Sequence, residues 1–145
     1  MLPRWHIILG AVFTFFMWIF APQIGFVNIL LIFIASFMID LDHYICGAMK
    51  TGKLHIGKIF DYHKDVGIKQ HEERRRGIRR RGDFHLFHTL EFHVFIALLG
   101  ILFLPFFYIF IGMAFHSLLD LFWLLKNDFF YRREYFFFNW IRDKI

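Results

Sequence analysis

Three short stretches carry acids and imidazoles into sequence that is otherwise close to hydrocarbon. "MIDLDHYI" supplies Asp40, Asp42 and His43. "DFHLFHTLEFH" supplies Asp83, His85, His88, Glu91 and His93, and "GMAFHSLLDL" supplies His116 and Asp120. Ionisable groups in a membrane-spanning segment cost a few kcal/mol or more each and generally mark function. Imidazole nitrogen and carboxylate oxygen, without thiolate, suit zinc first, and also manganese or iron. A bound metal brings the pKa of its water toward neutrality and makes hydroxide available as a nucleophile. The candidate ligands are Asp42, His43, His85, His88, His116 and Asp120. Asp40 and Glu91 are candidate catalytic carboxylates that activate the water.

Helical spacing sorts these residues. His116 and Asp120 share a face at i, i+4, and Asp40 and His43 do so at i, i+3. His85, His88 and then Glu91 or Phe92 follow one stripe, while His93 falls on another side. His85 and His88 compete for the place of principal ligand. At about 1.5 Å per residue, His116 and Asp120 lie roughly 8 to 15 Å inside the end of their helix, and His88 about one turn inside its own. The three clusters therefore meet near one end of a bundle.

The elements that must position them are apolar helices. The chain has 145 residues, 58% hydrophobic and 22% aromatic, with 23 phenylalanines. A soluble domain of this size is nearer half apolar, so lipid is expected as part of the solvent. Four apolar stretches, residues 5–21, 24–39, 86–104 and 106–125, reach the short end of the length that crosses a bilayer core. Helix satisfies their backbone groups in lipid. Very short connections at Pro22-Gln23 and at Pro105 pair them. The expected fold is an all-α membrane protein of four transmembrane helices in two hairpins. A basic loop, residues 44–84, joins the hairpins, and an interfacial amphipathic tail, residues 126–145, follows them. The first stretch lacks a small-x-small cleavage site, so it is expected to be an uncleaved anchor rather than a secretory signal.

Charge sets the topology. Eleven of the 17 Lys and Arg residues lie in the 44–84 loop, one at Arg4 and five after Leu125. The hairpin tips carry none. By the positive-inside rule, both termini and the loop are cytoplasmic, and the expected location is the inner or plasma membrane of a prokaryote. Arg79, Arg80 and Arg81 are candidates for binding a phosphate or an anionic lipid headgroup. Topology control already accounts for the arginine runs, so no nucleic acid is expected. One cysteine, Cys46, excludes an internal disulfide and a multi-cysteine metal site.

Other polar residues have structural roles open to them. Asp42 and His43 can cap the second helix. Asp83 is the expected N-cap of the third. His6 is expected at the membrane interface, and His55, His63 and His71 in solvent.

The three motifs, "DLDH" (Asp40 to His43), "RRGDFHLFHT" (Arg80 to Thr89) and "HSLLD" (His116 to Asp120), resemble the YdjM-like family of membrane-bound, metal-dependent hydrolases. That resemblance implies a relation to zinc-dependent phospholipase C and single-strand nucleases, and a phosphoester or phospholipid substrate. Asp42, His43, His116 and Asp120 match the family pattern best. The middle motif departs from the usual His-Arg-Gly and later His-Ser, with His85 and His88 both standing where one histidine is expected. The competing function is a non-catalytic membrane protein that binds metal or lipid or conducts ions. A conduit lines both halves of the membrane with polar groups, whereas the outer halves here are almost wholly apolar. A phosphohistidine phosphatase shares only the His-x-x-x-Asp element, and a desaturase-type di-iron enzyme requires adjacent histidine pairs that this chain lacks.

Overall fold

The computed structural model describes residues 3–145, which are helical with no strand among them. Seven α-helices follow in order: α1 (Pro3–Phe20), α2 (Phe26–Met38), α3 (Leu41–Thr51), α4 (Ile56–Arg75), α5 (Leu90–Leu102), α6 (Leu104–Lys126) and α7 (Phe137–Arg142). Short 3-10 turns cover Pro22–Ile24, Leu86–His88 and Phe130–Arg132. Three segments are long and apolar enough to cross a membrane: Pro3–Phe20, Phe26–Thr51 and Leu104–Lys126. The segment Leu90–Leu102 is apolar but has only 13 residues. It spans about 20 Å at 1.5 Å per residue, short of a typical core of about 30 Å.

This shortening corrects two expectations. The third apolar stretch does not become helical at residue 86, because His85 is extended and Leu86–His88 form a 3-10 turn. Asp83 is not its N-cap. Thr89 takes that place, its hydroxyl accepting from the Phe92 amide, while Asp83 accepts from the Tyr62 hydroxyl at 2.8 Å and lies 3.5 Å from Lys50. The basic loop is also more ordered than its glycines suggest. Within it α4 runs for 20 residues and packs along α3. His63 is not simply solvated: its Nε2 donates to the His43 carbonyl at 2.9 Å.

The bundle is organised about α2 and α6, with α1 against α2 and α5 against α6. Two glycines allow this. A Cβ on Gly112 of α6 would collide with the Ile32 carbonyl oxygen and lie 2.8 Å from the Ala35 methyl. A Cβ on Gly10 of α1 would collide with the Ser36 hydroxyl. Small residues at helix contacts let backbones approach closely, the main source of helix association in lipid. Ala35, Ile39, Ile96 and Met113 form the buried core beside these contacts. On α1 the buried residues are His6, Gly10 and Thr14, whereas Phe15, Phe16, Trp18 and Phe20 stand exposed. An apolar outer face on a helix that buries only one narrow stripe fits a lipid-facing helix.

Replacing Gly112 with Leu should overpack the α2–α6 contact and cost about 1–3 kcal/mol, read as a lower thermal unfolding midpoint in detergent. The control is Gly67→Ala in the interior of α4, where a methyl meets nothing within 4 Å. That change should be neutral or stabilise by about 0.5–1 kcal/mol.

Candidate metal centre

The polar clusters meet at the end of the bundle where α1 starts, α2 ends, α5 starts and α6 approaches its C-terminus. The α2–α3 junction is the first device that assembles them. On an unbroken helix Asp40 and Asp42 would point about 200° apart, at 3.6 residues per turn. Instead the chain turns at residues 39–40, with the Asp40 amide bonded back to the Phe37 carbonyl. Both carboxylates then reach the same cluster. Asp40 Oδ1 lies 3.4 Å from His116 Nε2 and 3.7 Å from His88 Nε2. Asp42 Oδ2 lies 3.1 Å from His88 Nδ1 and accepts from the Phe87 amide at 2.9 Å.

Hydrogen bonding fixes the imidazole tautomers. His116 Nδ1 lies 2.9 Å from the Ser36 carbonyl. A carbonyl only accepts, so Nδ1 carries the proton and Nε2 of the neutral ring presents its lone pair. His88 Nδ1 donates to the Asp42 carboxylate by the same logic, which leaves its Nε2 lone pair available. These two Nε2 atoms face one another at 3.2 Å. Two lone pairs at that separation repel, and a proton or a cation must lie between them. Asp120 Oδ2 stands 3.6 Å from His116 Nε2 and 3.8 Å from His88 Nε2. Donor atoms about 2.0–2.1 Å from a tetrahedral zinc lie about 3.3 Å apart, so this spacing suits one small cation.

A second group sits alongside. Asp42 Oδ1 and His85 Nδ1 are 3.8 Å apart, both buried and both without a hydrogen-bond partner. The His43 ring lies 3.7 Å from the His85 ring between centroids, and Asp42, His43 and His85 can together direct one ligand atom each at a single ion. Burial lowers the His85 pKa to about 4, with Asp42 acting against the shift, so its imidazole is neutral at pH 7. Among the described residues, Asp40 and Asp42 meet only imidazoles and one amide. Buried carboxylates are costly unless a positive charge, from a proton or a cation, sits among them. A shared proton would serve one nitrogen pair and leave Asp42 Oδ1 and His85 Nδ1 orphaned. The buried His/Asp clusters can hold a metal ion.

The structure thus brings together Asp40, Asp42, His43, His85, His88, His116 and Asp120. His85 and His88 do not compete, since each faces a different oxygen of Asp42. Glu91 lies apart: its carboxylate accepts from the Phe137 amide at 3.0 Å and from the Phe138 amide at 3.4 Å, at the start of α7. His93 fastens α5 to α6, its Nδ1 donating to the Thr89 carbonyl and its Nε2 accepting from the Ser117 hydroxyl. Arg80 pairs with Glu73, Arg81 with Glu134 and Asp143, and Arg79 lies over the Tyr131 ring.

Two residues enter the cluster that the sequence reading placed elsewhere. His6 is not an interfacial residue. It is fully buried, stacks on His116 at 3.8 Å and points Nε2 at Asp120 Oδ1 from 3.2 Å. Its signal was present: His6, Gly10 and Thr14 form a small and polar stripe at i, i+4, i+8 on an aromatic helix. Arg133 had no such signal. It comes from the tail and donates to Asp120 Oδ2 at 2.6 Å.

The tail is strapped over this end of the bundle. The Gly82 amide donates to the Arg132 carbonyl, the Leu90 amide to the Tyr135 carbonyl, and Phe84 stacks on Trp140. Arg132 donates to Glu73 of α4 at 3.0 Å. Comparison of the chain with known protein families, characterised proteins and solved structures finds no match.

The Arg132 hydrogen bond holds the Glu73 carboxyl below its ordinary value of 4.5. The clasp therefore stabilises fully above that value and is lost as pH falls through the lowered one. Glu73→Gln should accelerate amide hydrogen exchange across residues 127–145 at neutral pH. Relative to the intrinsic exchange rate at each pH, the wild-type tail should lose the same protection on acidification, and the variant little further.

Proposed function

We propose that the protein is an integral-membrane, metal-dependent hydrolase that cleaves a phosphoester or phospholipid at the cytoplasmic leaflet. The observation that carries this reading is the pair of Nε2 lone pairs at 3.2 Å, both Nδ1 protons committed elsewhere, with Asp40 and Asp120 alongside. His88, His116 and Asp120 would hold one cation, and Asp42, His43 and His85 a second. Nitrogen and oxygen donors favour zinc, with manganese and iron as alternatives. When bound, such a metal supplies Lewis acidity and a water acidic enough to give hydroxide near neutral pH.

The chain's own residues divide the remaining work. The Ser36 carbonyl and Asp42 orient His116 and His88 by taking their Nδ1 protons, an arrangement whose loss typically costs 10–100-fold in metal affinity. Asp40, at 16% more exposed than the carboxylates of Asp42 and Asp120, is the one best placed to accept a proton from attacking water. Glu91, occupied by α7, is left a positioning role. Four spans are part of the reading: α5 pairs with α6 as the fourth, and the N-terminus, the α3–α4 region and the tail share the cytoplasmic side. Exposed Met49, Leu54, Ile56 and Phe60, interspersed with Lys50, Lys53 and Lys58, suit that side's anionic lipid interface. The likeness of "DLDH" and "HSLLD" to the YdjM-like hydrolases points the same way.

Elemental analysis of protein purified without chelator tests the reading. Wild type and Glu91→Gln should carry stoichiometric zinc, manganese or iron, which His88→Ala and His116→Ala lose along with chelator-sensitive release of phosphate or headgroup from phospholipid. Folded wild-type protein that neither retains nor takes up metal would sink it.

A further inference from the structure

We infer that Arg133 forms a phosphate-binding subsite beside the ligand cluster; this deepens the hydrolase reading and rests on it. Among the described residues, Arg133 is the one guanidinium in ion-pair contact with the ligand cluster. Its Nη2 engages Asp120 Oδ2, while its other N–H groups make no hydrogen bond among the described residues, and its side chain is 13% exposed. A guanidinium presents five donors in a planar fork that matches phosphate oxygens two at a time. One edge of this fork is spent on Asp120, and the side chain keeps a small exposed fraction.

Its placement is built rather than incidental. The backbone on either side of Arg133 is pinned, at the Arg132 carbonyl by Gly82 and at the Tyr135 carbonyl by Leu90. Gly82 and Leu90 bracket the segment that carries His85 and His88, so one frame sets both the imidazoles and the guanidinium. The neighbouring arginines are directed away: Arg132 to Glu73, Arg80 to Glu73, and Arg81 to Glu134 and Asp143. Cations that compensate Asp40 and Asp42 would leave Arg133 as a positive group facing a centre no longer anionic. A phosphoryl group held there meets the guanidinium on one side and the ligand cluster on the other.

The test measures phosphate binding directly, by calorimetric titration of detergent-solubilised protein whose metal content is assayed in parallel. The probes are inorganic phosphate and a short-chain phosphatidic acid. Arg133→Gln should weaken binding at least tenfold with metal content unchanged. Arg133→Lys, which keeps the charge and can still reach Asp120, should fall between. Loss with both probes supports a subsite open to free phosphate, and loss with the lipid alone supports one specific to a headgroup. Unchanged affinity for both probes in Arg133→Gln overturns the inference, as does loss of metal from both variants, which would make Arg133 a structural counter-ion. Should wild type prove metal-free, the hydrolase reading fails by itself; Arg133-dependent phosphate binding by that protein still supports the subsite, and its absence overturns it.

Discussion

The constraint on which this structure depends is the burial of carboxylates among imidazoles. Asp40 and Asp42 make no direct ion pair with a guanidinium or ammonium among the described residues, and the Nε2 atoms of His88 and His116 face each other at 3.2 Å. In a low-dielectric interior such an arrangement opposes folding unless a positive charge sits among the groups. The elements around the cluster work to impose it. The turn at residues 39–40 aims two acids one way, the Ser36 carbonyl fixes one ring, and Asp42 fixes another. Gly112 and Gly10 bring α6 and α1 close enough to α2 for these contacts to form.

The division between scaffold and site follows from the same constraint. The rest of the bundle is nearly featureless hydrocarbon, with phenylalanines and isoleucines facing outward and a small core of Ala35, Ile39, Ile96 and Met113. Close packing at Gly112 sets α6 against α2. The polar contacts add specificity: the bond from His116 to the Ser36 carbonyl is long in sequence, buried and directional. The strap formed by the tail then closes the open end, using arginine–carboxylate pairs outside the cluster and Arg133 within it.

Much of the site was legible in the sequence because charge in hydrocarbon is rare and therefore informative. "DLDH" and "HSLLD" stood out for that reason, and the i, i+4 spacing of His116 and Asp120 survives unchanged in α6. His85 and His88 were found by type but not by geometry. Their shared helical stripe does not exist, since an extended residue and a 3-10 turn carry them, and both converge on Asp42 from that irregular backbone. Glu91 shows the opposite case. Its type and spacing matched a catalytic carboxylate, yet two amides of α7, nearly fifty residues away, claim it.

The sequence alone determined the all-helical class, the apolar segments and the chemical identity of most of the cluster. These are local or compositional properties, set by hydropathy, periodicity and the side chains themselves. Only the tertiary structure decided which oxygen meets which nitrogen, that His6 completes the centre, and that Arg133 rather than Arg79, Arg80 or Arg81 reaches it. The reason is that a hydrogen bond or a coordination sphere is fixed to fractions of an ångström by backbone direction at turns and by the closeness of helix packing. Those are set by pairs of residues such as Gly112 with Ile32, Ser36 with His116, and Leu90 with Tyr135, whose relation no single stretch of sequence contains.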